Sequence, residues 1–217
     1  MEKKISPKKE DSASVKRSGL TGKIFAVVKF LLGMCLLPFV YSVTVAFLRE
    51  FSVIEAPFQN YFWAGLVSFL IIYAFIWEPQ IVYARGQKLL ELTFGFFKPL
   101  IKVAPYLLPI YTIVLFLAYL ILSLTFKSLD LVKYFFFLFG FTICLHLVFS
   151  AKSLRSKQGE FLRVSYVFGF SVIYILNLVL LAILIKLIFD GFSLTNFFVD
   201  FIRVADNILY AVFKQLF

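Results

Sequence analysis

Charge is scarce in this 217-residue chain: Asp, Glu, Lys and Arg make up 16% of it, against about a quarter in soluble domains. Histidine occurs once, and cysteine and tryptophan twice each. One histidine leaves no two-histidine zinc pair and no credible Ser/His/Asp set. A glycine-rich phosphate loop is absent. Alternating strand patterns are absent too, which argues against a membrane β-barrel. Cys35 and Cys144 both lie inside apolar runs, without metal-ligand spacing. They read as packing residues rather than a disulfide.

What the chain has in abundance is apolar surface. It is 62% hydrophobic with 30 phenylalanines and a mean hydropathy of +0.94. Several apolar runs reach about 20 residues, the length a helix needs to cross a ~30 Å hydrocarbon core. The fold expected is all-α: a polytopic transmembrane helical bundle. The net charge of +10 does not indicate nucleic acid, because the basic residues lie mainly in the N-terminal tail and the loops, where membrane topology accounts for them.

Five full spans are expected, at about Phe25–Leu48, Tyr61–Trp77, Ala104–Phe126, Tyr134–Ala151 and Val164–Phe189. Residues 1–23 form a basic tail with too few apolar residues to fold alone, and disorder is expected there. The transmembrane domain then covers 24–190. Residues 191–217 place Asn196, Asp200, Arg203, Asn207 and Lys214 at helical spacing against a broad apolar face. That pattern is an amphipathic helix, lying in the membrane interface or packing as a sixth bundle helix. Seven Lys or Arg fall in the tail, four in 80–103 and four in 152–163, against one in 49–60 and two in 127–133. The positive-inside rule then puts the N-terminus and the 80–103 segment in the cytoplasm.

Between the second and third spans lies VYARGQKLLELTFG, residues 82–95, with Arg85, Gln87, Lys88 and Glu91 inside seven positions. A short intramembrane or interfacial helix over 80–97 is expected. As a helix it places Gln87 and Glu91 on one face at i and i+4, with Lys88 beside them. One reading is an interfacial helix whose Lys and Arg reach the headgroups. The other is a functional site at the mouth of the bundle.

This segment resembles the region around G-H-E-x-x-H in small bacterial membrane zinc metalloproteases of the site-2-protease-like family. FWAGLVSFLIIYAF (62–75), APYLLPIYT (104–112) and FGFTICLHLVFSAKSLRSKQGE (139–160) are similar to later or earlier parts of such proteins, in the same order. In that family two histidines one turn apart hold zinc, and the intervening glutamate acts as general base on the bound water. The resemblance assigns Gln87, Lys88 and Glu91 to those three positions, and all three are changed. The polar β-type insertion expected before the APY helix is also missing. The resemblance therefore implies a retained fold without proteolysis, no catalytic residues, and no zinc or other cofactor.

Two further polar residues lie within spans: His146 and Asn177. Each reads either as a hydrogen-bonding link between helices or as a lining of the former active-site cavity. Arg85, Lys88, Lys98 and Lys102 form a basic set facing anionic lipid or a partner's acidic surface. The function expected is a non-catalytic scaffold or accessory subunit that binds other membrane proteins, with the bilayer and no nucleic acid as its surroundings. Two alternatives are a small transporter or channel subunit, and an active metalloprotease in which Glu91, His146 and a third group converge on a metal. A bacterial cytoplasmic membrane is the expected location.

Overall fold

A computed structural model describes residues 11–76, 79–93, 104–125, 129–156 and 166–216. In chain order the helices are α1 (Asp11–Phe51), α2 (Ala56–Ile71), α3 (Gln80–Thr93), α4 (Ala104–Leu107), α5 (Ile110–Thr125), α6 (Leu129–Ser156), α7 (Tyr166–Ile188) and α8 (Leu194–Leu216). A π-helical turn, Ile72–Ile76, continues α2. No strand occurs among the described residues. The chain is a helical membrane bundle.

Among the described residues, four segments are long and apolar enough to cross a bilayer: Phe30–Phe51, Ala56–Phe75, Leu131–Arg155 and Tyr166–Ile188. The third expected span, drawn over 104–126, is shorter. Leu108 and Pro109 interrupt it, leaving α5 with 16 residues, or about 24 Å at 1.5 Å per residue. Proline has no N–H to donate and disfavours the helical conformation of the residue before it. Of the expected tail, residues 1–10 lie outside the described residues, and 11–23 are helical as the first part of α1. Extending an existing helix needs no new nucleus, so residues of modest propensity can join it.

Lipid tails are as apolar as the side chains, so close packing rather than water exclusion must hold helices together. The α2–α6 crossing depends on two glycines. A methyl group built on Gly65 would overlap the Phe137 carbonyl oxygen, and one on Gly140 would overlap the Phe62 carbonyl oxygen. The two backbones thus meet almost directly. Phenylalanine fills the space on either side. Phe51 packs on Phe62, and Phe58, Phe136 and Phe189 form a ring cluster with centroids 5.0–6.0 Å apart. These rings mark one end of the bundle; α3 lies at the other, over Phe69, Cys144, Leu145 and Phe149.

The C-terminal helix, left between two placements by the sequence, packs along α1. Phe197 and Ala205 are buried in that seam, and Phe39 meets Phe201 edge to face. Arg49 pairs with Asp200 at 3.4 Å, and Arg203 reaches the same carboxylate. The buried Glu50 accepts a hydrogen bond from the Ser193 N–H at 3.1 Å, while Ser193 Oγ accepts one from the Asn196 N–H. A carboxylate and a hydroxyl therefore cap the start of α8, where N–H groups lack partners.

Candidate functional site

The break at Pro109 creates the polar centre of the molecule. In an unbroken helix the N–H groups of Ile110 and Tyr111 would take the carbonyls of Tyr106 and Leu107. Ile110 N–H instead donates to Leu108. Two carbonyls are thereby left to find donors in apolar surroundings, where an unpaired one is costly.

His146 and Asn177 meet them. His146, only 4% exposed on α6, has Nε2 3.2 Å from the Tyr106 carbonyl. A carbonyl only accepts, so this contact places a proton on Nε2. Asn177, fully buried on α7, donates Nδ2 to Leu107 at 3.0 Å and to Ile173 at 2.8 Å in its own helix. Its Oδ1 is buried with no hydrogen-bond partner among the described residues. Ser150 lies 3.4 Å from both the Tyr106 carbonyl and His146 Nε2.

α3 is seated on this centre. Gly86 packs so tightly against α5 that an added methyl would fall 2.7 Å from the Tyr111 ring and 2.8 Å from Ile110. Tyr111 OH donates to the Val82 carbonyl, and Tyr83 OH shares a hydrogen bond of 3.1 Å with Ser150 Oγ. Burial raises the Tyr83 phenol pKa above its ordinary value of 10, with the Ser150 hydrogen bond opposing the shift. Between α3, the Leu108–Tyr111 segment and α6 is a small cavity lined by Tyr83, Gln87, Leu90, Leu108, Ile110, Tyr111, Thr142, Leu145 and His146. It has room for about one water molecule.

Gln87 and Glu91 stand one turn apart on α3, but only Gln87 borders the cavity. The inward face of α3 is Tyr83, Gly86, Gln87 and Leu90, fixed by the close seat of Gly86 on α5. Gln87 lines the cavity next to Tyr83, and its buried Nε2 has no well-formed hydrogen bond among the described residues. Lys88 and Glu91 are exposed, as is Arg85. Glu91 therefore does not share the cavity with His146. Lys98 and Lys102 lie outside the described residues. Cys144 is buried in the packing beneath α3, and Cys35 is exposed on α1.

Tyr83, Tyr111, Thr142 and Ser150 were not singled out from the sequence. The break at Pro109 signals that donors are needed nearby, but of these four hydroxyls only Ser150 approaches one of the two carbonyls. Among the described residues, no three His, Cys, Asp or Glu side chains stand close enough to hold a metal ion. Compared with known proteins, the chain matches no family model, no curated protein and no solved structure.

Proposed function

We propose that this chain is a non-catalytic integral membrane protein, a scaffold or accessory subunit that binds other membrane proteins, built on a fold like that of the site-2-protease-like metalloproteases. One observation carries the reading: at the position where such a protease holds zinc, the donor set does not suit the ion. Gln87 offers an amide, a poor zinc ligand. Lys88 and Glu91 face outward, and the Nε2 of the only histidine is engaged with the Tyr106 carbonyl. A catalytic zinc needs three protein ligands and an open position for water. Here one imidazole and one amide border a hole of single-water size.

A scaffold needs surface rather than a cleft, and the bundle has it. α8 is buried along α1 at Phe197 and Ala205 while presenting Val199, Ile202, Tyr210 and Phe213 outward. We place the protein in a bacterial cytoplasmic membrane with the N-terminus and α3 on the cytoplasmic side, because the basic residues gather at that end.

The test is metal content and crosslinking on the full chain in detergent. Purified protein, with Glu91→Ala and His146→Ala variants, should carry no stoichiometric zinc after growth in zinc-supplemented medium. A photo-crosslinker at Ile202 should capture discrete membrane-protein partners. One zinc per chain, lost in both variants, would restore the metalloprotease reading; crosslinking to lipid alone would remove the scaffold role.

A further inference from the structure

The outward face of α3 is not a solvated surface. At about 100° per residue, Ile81, Arg85, Lys88, Leu89 and Leu92 fall within an arc of roughly 100°, opposite the buried Tyr83, Gly86 and Leu90. Ile81 is 63% exposed, Leu89 50% and Leu92 82%, and the two cations are exposed between them. Water would stabilise the charges and not the three aliphatic chains. Hydrocarbon would do the reverse. Only the headgroup–acyl boundary of a membrane suits both, with the apolar side chains dipping inward and the cations rising to phosphate level.

Arg85 and Lys88 sit three residues apart, and no ion pair to either occurs among those found for the described residues. Arg155, exposed in the last turn of α6, adds positive charge at the same end of the bundle, since Tyr83 of α3 is hydrogen-bonded to Ser150 of α6. α3 cannot turn away from the membrane to relieve this, because Gly86, Tyr83 and Tyr111 fix its rotation.

We infer that the α3 stripe is a binding site for an anionic glycerophospholipid. Arg85 and Lys88 clasp the headgroup phosphate, and Ile81, Leu89 and Leu92 bed the acyl chains. The inference is independent of whether the protein is a scaffold. A juxtamembrane cation is worth about fivefold in affinity for an anionic surface, and this attraction weakens with salt.

The experiment uses the full chain in nanodiscs of phosphatidylcholine carrying a trace of fluorescent phosphatidylglycerol or fluorescent phosphatidylcholine, with energy transfer read from an acceptor on α3. The expected result is enrichment of phosphatidylglycerol over phosphatidylcholine at α3. Enrichment should fall by about fivefold for Arg85→Gln or Lys88→Gln, fall further in the double variant, and decline between low and high salt. A Lys186→Gln/Lys214→Gln variant removes the same charge elsewhere and should keep the enrichment. Thermal unfolding in pure phosphatidylcholine identifies any variant that fails to fold; Arg85→Lys should then retain the enrichment. Equal occupancy by both lipids, or equal losses in the stripe and control variants, would overturn the assignment.

Discussion

At the scale of single residues, polar groups in this bundle answer to a proline. Pro109 strips two carbonyls of their helical donors, and His146 and Asn177, from two other helices, supply replacements. Replacing Asn177 with Leu should cost about 1–2 kcal/mol, measured by unfolding in mixed micelles, because the Leu107 carbonyl loses its interhelical donor. His146→Leu should cost a similar amount and His146→Gln less, since Gln still carries a donor; equal losses would show that the imidazole matters for shape alone. Tyr83 gives a pH dependence of known sign. Its folded pKa is raised above 10, so its contribution is fully present below pH 10 and is lost as the pH rises through the folded value. Tyr83→Phe should therefore flatten the alkaline loss of stability above pH 10. The sequence marks His146 and Asn177 as polar groups within spans, but not what they bind. Their acceptors are backbone atoms exposed by a break forty and seventy residues away, and side-chain spacing carries no record of that.

At the scale of elements, close approach decides which substitutions matter. A methyl at Gly65 or Gly140 meets a backbone carbonyl, which can yield only if α2 and α6 separate. A methyl at Gly86 meets the ends of the Tyr111 and Ile110 side chains, which can rotate. Gly65→Ala and Gly140→Ala should each destabilise by about 1–3 kcal/mol. Gly86→Ala should cost less, because its clash relaxes and alanine favours the helix by about 0.5–1 kcal/mol. Unfolding of the three variants in one micelle system checks the order, and a larger loss at Gly86 would contradict it. The helices themselves were legible as apolar runs bounded by polar loops. The length of α5 was not, because LLPIYT reads as one hydrophobic run until Pro109 is taken as a break. The exposure of Glu91 was not legible for a related reason: i and i+4 share a face, but which part of that face turns inward depends on where a glycine seats its helix.

At the scale of the whole molecule, charge is distributed by end. Arg85, Lys88, Lys152 and Arg155 gather where α3 covers the bundle, while Arg49, Lys133 and Lys186 lie toward the end marked by Phe58, Phe136 and Phe189. At that second end acids accompany the bases: Glu50 caps α8, Asp200 holds Arg49 and Arg203, and Asp190 lies 3.9 Å from Lys186. Insertion follows the number of Lys and Arg close to the spans, and acids contribute little. The α3 end should therefore face the cytoplasm, and the Asp190 turn the opposite compartment. Single cysteines at Lys88 and Asp190, in a background with Cys35 and Cys144 replaced by serine, separate the two ends. In sealed right-side-out vesicles a membrane-impermeant maleimide should label Asp190→Cys at once and Lys88→Cys only after permeabilisation. The opposite order would invert the bundle and put the lipid-binding stripe of α3 in the outer leaflet. Labelling at both sites before permeabilisation, with a cytoplasmic marker protected, would mean that the short α5 fails to cross and that the α2–α6 crossing joins helices of altered polarity.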